Sequence, residues 1–333
     1  MLKIVLALFV AAYAFVGVAA AQDQVQATDA VAVDPLADNI SKLKNSDPSI
    51  RRQAAEALGQ LRNPAAIEPL RQALKDQNPF VRIAAIDALG FLRAIVASRE
   101  ISAMLVSDVQ ESVRQSAAVA LLYIGDRSTV PSLVSALNDK YDGVRFAAAN
   151  ALGAMRDPQA IPGLLEGLKD ASPSMRRASL NALGRIGDTS TLPVIREAMN
   201  DADPGIRAEA VRLCGSFNDK ASEARFRELL KDENIKVAVA ASGALLKTGS
   251  REGAAVALKA ITSGDPMVRI QAADILGDLA TREAVVALEK AQNDADSGVR
   301  LAAENSLSRI KASQPIPAQK PSAPKLKPSG TKK

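Results

Sequence analysis

The side chains of this chain that could do chemistry form a regular series of Asp and Arg. Arginines recur at a nearly constant interval, and an aspartate stands six residues before most of them. Such a row could be a catalytic array, but a charge that returns in nearly every copy of a repeat is typical of structural ion pairs, which is our interpretation. The arginines are Arg51, Arg82, Arg114, Arg145, Arg176, Arg207, Arg269 and Arg300, and the aspartates are Asp76, Asp108, Asp139, Asp170, Asp201, Asp232 and Asp294.

The residue types that are missing exclude several classes of site. Among 333 residues there is no His, so imidazole cannot serve as a general base or a metal ligand. The single Cys214 excludes a disulfide framework, a Cys-rich zinc site and an iron–sulfur cluster within one chain. Because Cys214 replaces a core Leu of the repeat, we interpret it as a buried hydrophobic residue. We expect no enzyme activity, no cofactor and no metal.

A repeat of 31 residues positions the arginines, with one interval of 32 between Arg82 and Arg114. Each copy predicts two helices, of which the second begins four residues before the arginine, at a capping Asp, Asn or Ser that Pro often follows. Small and apolar residues three, six, seven and ten positions after the arginine predict one buried stripe. A single pair buries too little apolar surface to fold alone, so nine stacked pairs predict an all-α solenoid.

The repeated phrase, as in DPMVRIQAADILGDL (265 to 279), resembles HEAT-like repeats of the short type found in phycobilin lyases and bacterial scaffolding proteins. The resemblance covers about residues 35 to 310 and implies an armadillo/HEAT-like superhelix with the second helices on its concave side. It also implies Asp–Arg bonds within and between units. Copy seven departs from the pattern at Ala238 and Leu246, which predicts a weak joint or a bend. A lyase-like enzyme is a remote alternative, because none of the lyases' functional residues can be placed on this chain.

The N-terminus predicts export. Lys3 precedes an apolar run from Ile4 to Val18 and three alanines, which is typical of a signal peptide over residues 1 to 21. A retained membrane anchor is the alternative. An acidic, flexible leader is predicted over residues 22 to 34, and we expect the protein to be periplasmic or secreted.

The net charge of +5 is concentrated near the C-terminus. Residues 311 to 333 contain six Lys, several Pro and no acid, which predicts a disordered tail. The repeats are therefore nearly neutral, which argues against nucleic acid as a partner. The tail either only solubilises the chain or makes weak contact with an anionic envelope surface.

One stripe of the second helices is predicted to face a partner. The positions one, five and nine after each arginine are free of the buried set, and on the concave side they would be exposed to water. An apolar patch beside arginines predicts a protein-binding surface, unless Ile83 and Phe146 pack between neighbouring helices. We therefore predict a monomeric, exported, non-enzymatic scaffold for a protein or peptide, with an envelope adaptor acting through its tail as the alternative. The candidate residues are Ile83, Phe91, Val119, Tyr123, Phe146, Arg177, Arg185 and Arg212.

Overall fold

A computed structural model describes residues 34 to 313, so the predicted signal peptide and nearly all of the leader and tail lie outside it. Within this range nine helix pairs follow one another without a β-strand, which confirms the all-α solenoid of two-helix units. None of these helices is long and apolar enough to cross a membrane. The first helices are α1 (Pro35–Lys42), α3 (Ile67–Ala73), α5 (Ser98–Ser107), α7 (Val130–Ala136), α9 (Ile161–Gly167), α11 (Leu192–Glu197), α13 (Glu223–Leu229), α15 (Ala254–Ala260) and α17 (Arg282–Ala291). The second helices are α2 (Pro48–Gln60), α4 (Pro79–Phe91), α6 (Glu111–Ile124), α8 (Asp142–Met155), α10 (Pro173–Ile186), α12 (Pro204–Ser216), α14 (Ile235–Thr248), α16 (Pro266–Leu279) and α18 (Ser297–Ser313).

The second helices begin where the capping residues predict. The Asp or Asn oxygen accepts the backbone N–H two residues ahead at 2.8 to 3.0 Å, which satisfies a donor that the helix leaves free. Ser172 stands at the N-cap of α10 but makes no side-chain bond there. Tyr141 precedes α8, likewise without a capping bond. The caps that form are Asp47, Asn78, Asp203, Asn234, Asp265 and Asp296.

Neighbouring second helices nearly touch through a glycine and an alanine. A methyl group added to Gly59 would lie 2.8 Å from the Ala88 side chain, and the same close approach joins Gly153 to Ala182. Neighbouring first helices are in less contact than neighbouring second helices. The stack therefore curves toward the second helices, whose exposed side we call the inner face.

At two joints the neighbouring second helices are in less contact than at the others. Leu213 of α12 stands where other units place the small residue against the glycine, so its side chain meets Gly184 of α10. Between α14 and α16 both positions are bulky, with Leu246 in place of glycine and Ile275 in place of alanine. The buried apolar core is divided into three clusters near these joints. The joint predicted from Leu246 is therefore present, and a second one lies between α10 and α12.

The Asp–Arg series connects successive units. Arg114 donates to both carboxylate oxygens of Asp139, which lies in the next unit, at 2.6 and 2.9 Å, and to the carbonyl oxygen of Asp108 at 2.8 Å. Asp139 also accepts the backbone N–H of Tyr141. The arrangement confirms a structural role for the series. It recurs at Arg51–Asp76, Arg82–Asp108, Arg176–Asp201, Arg207–Asp232 and Arg269–Asp294. Arg145 forms a longer ion pair with Asp170, at 3.3 Å, and also pairs with Asp142 of its own helix at 2.8 Å.

Each of the first eight second helices is followed by a residue in the left-handed region, eleven positions after the arginine. Glycine adopts this conformation without steric cost, whereas other residues do so with strain. Three of these residues are glycines, with φ between 73° and 98°. The other five, with φ near 50°, are Arg62, Arg93, Arg156, Asn218 and Ala280.

Candidate functional site

The predicted partner-binding residues lie on the inner face in five successive second helices, from α4 to α12. Phe91 of α4 is 66% exposed, Tyr123 of α6 51%, Phe146 of α8 47% and Val119 of α6 37%. These exposures are high for large apolar side chains of a folded domain. Ile83 differs, because its side chain is half-buried and packs against the core. The packing alternative therefore holds for Ile83 and not for Phe146.

Two of the exposed apolar side chains, Phe91 and Tyr123, are in ring contact across a boundary between units. The rings of Phe91 and Tyr123 have centroids 6.2 Å apart and are tilted by 33°, although they belong to different units. This distance lies within the range of attractive ring pairs. Val119 lies one turn before Tyr123 in α6, and Phe146 lies on the same face of the next second helix, α8. We call Phe91, Val119, Tyr123 and Phe146 the aromatic patch.

A groove of about 240 Å³ lies beside the aromatic patch, between α2 and α4. Its rim is polar: Arg52 and Glu56 form an ion pair at 2.7 Å, and Ser116 Oγ donates to the Asp87 carboxylate at 2.5 Å. Desolvation in the groove raises the pKa of Asp87, and the bond from Ser116 partly opposes this shift. Phe91 forms part of the groove wall, so a ligand on the patch has a cleft next to it. The stripe residues that line the groove are Arg52, Glu56, Gln60, Ile83, Asp87 and Phe91.

The three predicted arginines behave differently. Arg212 forms an ion pair with Glu209 of the same helix. Arg177 and Arg185 of α10 are exposed, and neither makes an ion pair or a side-chain hydrogen bond with any residue between 34 and 313. We call these two the arginine pair. The structure thus brings together the aromatic patch on α4, α6 and α8 and two free cations on α10.

Sequence models of known protein families show which family this chain belongs to. The model described as HEAT repeats matches residues 36–121, 98–180, 161–232 and 222–308, which together span almost the whole solenoid.

The chain belongs to the HEAT-repeat family.

Several solved structures are similar to this chain at low sequence identity, and no curated protein matches the sequence. The Escherichia coli protein YibA is 20% identical, with a TM-score of 0.53 over 81% of this chain and 100% of that one. An engineered protein is 21% identical, with a TM-score of 0.46 over 83% of this chain and 89% of that one. The complex of CpcE and CpcF of phycocyanin lyase from a Nostoc species is 20% identical, with a TM-score of 0.39 over 87% and 100%.

Cys214 lies in the core of this HEAT-repeat chain, as predicted. Its side chain has no exposed surface, and burial raises the pKa of its thiol to about 11. A thiol that stays protonated at neutral pH is a poor nucleophile. Across residues 34 to 313, no three acidic, Cys or His side chains are grouped closely enough to hold a metal ion.

Two surface features of the HEAT-repeat solenoid were missed by the sequence analysis. One is a second exposed apolar set in the third unit, away from the inner face, formed by Ile95, Val96, Val106 and Val109. The sequence marks Val109 as unusual, because the other copies have mostly polar or small residues at this position, five before the arginine. Val109 also belongs to the one repeat interval of 32 residues. The other is a groove of about 830 Å³ between α15 and α17, which depends on the separation of two helices and has no signature in one sequence.

Proposed function

We propose that this protein is an exported, non-enzymatic HEAT-repeat scaffold that binds a protein or peptide on its inner face. The aromatic patch is the observation that carries the proposal. The chain has ten aromatic residues and no Trp, and three of them lie exposed on one face of three neighbouring second helices. Exposed aromatic side chains clustered on a concave surface are typical of protein-binding hot spots.

The non-enzymatic assignment is supported by the side chains that are present. Most of the regular Asp and Arg residues are occupied in bonds between units, and the thiol of Cys214 is buried. Without His, a general base near neutral pH would have to be a carboxylate or an amine with a strongly shifted pKa. Export is supported by the N-terminal sequence alone.

Affinity capture from an extract of the native cells tests the proposal. The bait is the mature chain, compared with a variant carrying Phe91→Glu, Tyr123→Glu and Phe146→Glu. A matched control carries Val96→Glu, Val106→Glu and Val109→Glu, which adds the same charge to the other exposed apolar set. Circular dichroism verifies that all three baits are folded. We expect one protein to be retained by the parent and the control and lost by the patch variant; equal retention by all three would contradict the proposal.

A role of the tail as an envelope adaptor is the second candidate. It is favoured by six Lys and no acid in residues 311 to 333, a charge that anionic lipid or cell-wall polymer would attract. Deleting the residues after Ser313 leaves every helix described above intact. If the tail is the adaptor, this deletion abolishes retention on anionic vesicles at moderate salt, whereas the patch variant is retained like the parent.

A further inference from the structure

We infer that the partner's binding segment is acidic as well as apolar, and that its carboxylates are held by the arginine pair, Arg177 and Arg185. This inference rests on the proposed function, because it assigns a chemistry to the partner of the same inner face. Its first support is the distribution of ion pairs along that face.

We call the positions one, five and nine after each repeat arginine the inner stripe. At both ends of the solenoid its charged side chains form ion pairs. At the N-terminal end Arg52 pairs with Glu56. At the C-terminal end Arg309 lies 3.6 Å from Asp278 and 3.7 Å from Asp274, and Lys247 reaches Asp278 at 4.0 Å. These pairs neutralise their own charges and offer little to a ligand.

In the middle of the inner stripe, two cations have no partner within the part of the chain that the structure describes. Arg212 has Glu209, and Asp87 has the hydroxyl of Ser116. In the part of the chain that the structure describes, Arg177 and Arg185 are the charged stripe residues without any such partner. Guanidinium groups bind carboxylates through paired hydrogen bonds, so two free ones beside an apolar surface complement an anionic, apolar ligand.

The arginine pair lies next to the aromatic patch. Arg177 is in the same stripe position of α10 as Phe146 is of α8, and packed helices lie about 8 to 10 Å apart. The aliphatic part of Arg185 passes Gly153 of α8, where an added methyl group would lie 3.5 Å from its Cδ. The side chain of Arg185 therefore lies against the helix that carries Phe146. One segment of a partner can contact both surfaces.

The spacing of the two arginines limits what binds them. They are eight residues apart in α10, about 12 Å along the helix axis. An extended chain advances about 3.3 Å per residue, so carboxylates about three to five positions apart reach both guanidinium groups. A nucleic acid is disfavoured, because the stripe offers two unpaired cations between residues 34 and 313, which are too few to follow a continuous row of phosphates. The observations thus favour a short acidic protein segment with apolar anchors.

Selection from two displayed peptide libraries tests the inference. Both libraries contain random peptides of about twelve residues, and one of them lacks Asp and Glu. Peptides selected on the mature chain are labelled with fluorescein, and their Kd values are measured by fluorescence anisotropy. They are measured again with Arg177→Gln/Arg185→Gln and with Arg99→Gln/Arg127→Gln, a control that removes the same charge from exposed arginines outside the stripe.

We expect the tightest binders to come from the complete library and to carry at least two acids beside aromatic or aliphatic residues. Their affinity should fall about tenfold or more in Arg177→Gln/Arg185→Gln, stay nearly constant in the control, and weaken as salt increases. The inference would be overturned if the acid-free library yields equally tight binders whose binding is abolished only by Phe91→Glu/Tyr123→Glu/Phe146→Glu. That result would leave the proposed function standing. Selected peptides that are insensitive to the patch variant, or a failure to select any peptide, would count against both.

Discussion

Ala238 and Ser263 face the same junction, as we call the contact between two successive units where an arginine bonds an aspartate. Ala238 stands where the other junctions have the arginine, and Ser263 stands where they have the aspartate. They are 25 residues apart, the same separation as Arg114 and Asp139 or Arg269 and Asp294. Both members of the pair are therefore replaced together. Losing only one would leave a mostly buried charge without its partner, which is costly, whereas losing both removes the charges and their desolvation penalty at once.

Restoring this pair should show coupling between the two positions. Ala238→Arg alone places a cation at a buried position and should destabilise the fold by about 1 to 3 kcal/mol. Adding Ser263→Asp supplies the acceptor that the other units have, so the double variant should recover about 1 to 2 kcal/mol relative to additivity. Urea denaturation of the parent, both single variants and the double variant gives the coupling energy. Effects that simply add would mean that this junction differs from the others in more than its charges.

Removing an arginine from an intact junction should be costly. Arg114 is 8% exposed and its partner Asp139 is 11% exposed, so Arg114→Ala leaves a shielded carboxylate unpaired and should lower the free energy of unfolding by about 3 kcal/mol. Arg52→Ala is the matched control, since Arg52 also pairs with an acid but both side chains are more than 40% exposed. We expect that control to cost less than about 1 kcal/mol. Similar losses for both variants would indicate that the bonds between units add nothing beyond a surface pair.

The Asp–Arg junctions also predict that the folded protein loses stability at acid pH. Hydrogen bonds from the arginines hold the pKa of several junction aspartates below its ordinary value, among them Asp76, Asp139, Asp201 and Asp294. Between the folded and unfolded pKa values the unfolded chain binds more protons, so lowering the pH favours unfolding. The stabilisation is complete above the unfolded value of about 3.9 and is lost as the pH falls through the folded values.

We therefore expect thermal stability to be nearly constant from about pH 5 to 8, where no His titrates, and to fall below about pH 4. Differential scanning fluorimetry across this range measures it. Asp139→Asn removes one of the titrating groups and should make the acid decline shallower. A decline centred near pH 6 would mean that groups other than these aspartates control it.

Much of the fold follows from the sequence because its signals are local and repeated nine times. The caps at Asn78 and Asp203, the buried Cys214 and the exposure of Phe91 and Tyr123 all follow from positions counted along one helix. The sequence left Ile83 and Phe146 open, since their burial depends on the space between two helices rather than on a position in one. The reduced contact between α10 and α12 at Leu213 was missed for the same reason: a leucine in an apolar stripe looks ordinary until the glycine opposite it is known.

The strained ends of the second helices are testable one residue at a time. Ala280 follows α16 with φ 52°, a conformation in which an L-residue with a Cβ is strained and glycine is not. Ala280→Gly should therefore raise the free energy of unfolding by about 0.5 to 1 kcal/mol, even after the larger conformational entropy of glycine in the unfolded chain is counted. Ala255→Gly is the matched control, because Ala255 is exposed inside α15 and the same change there should lower stability by about 0.5 to 1 kcal/mol. Opposite signs for one chemical change, measured by urea denaturation, would establish that the left-handed ends store strain; a loss at both positions would contradict it.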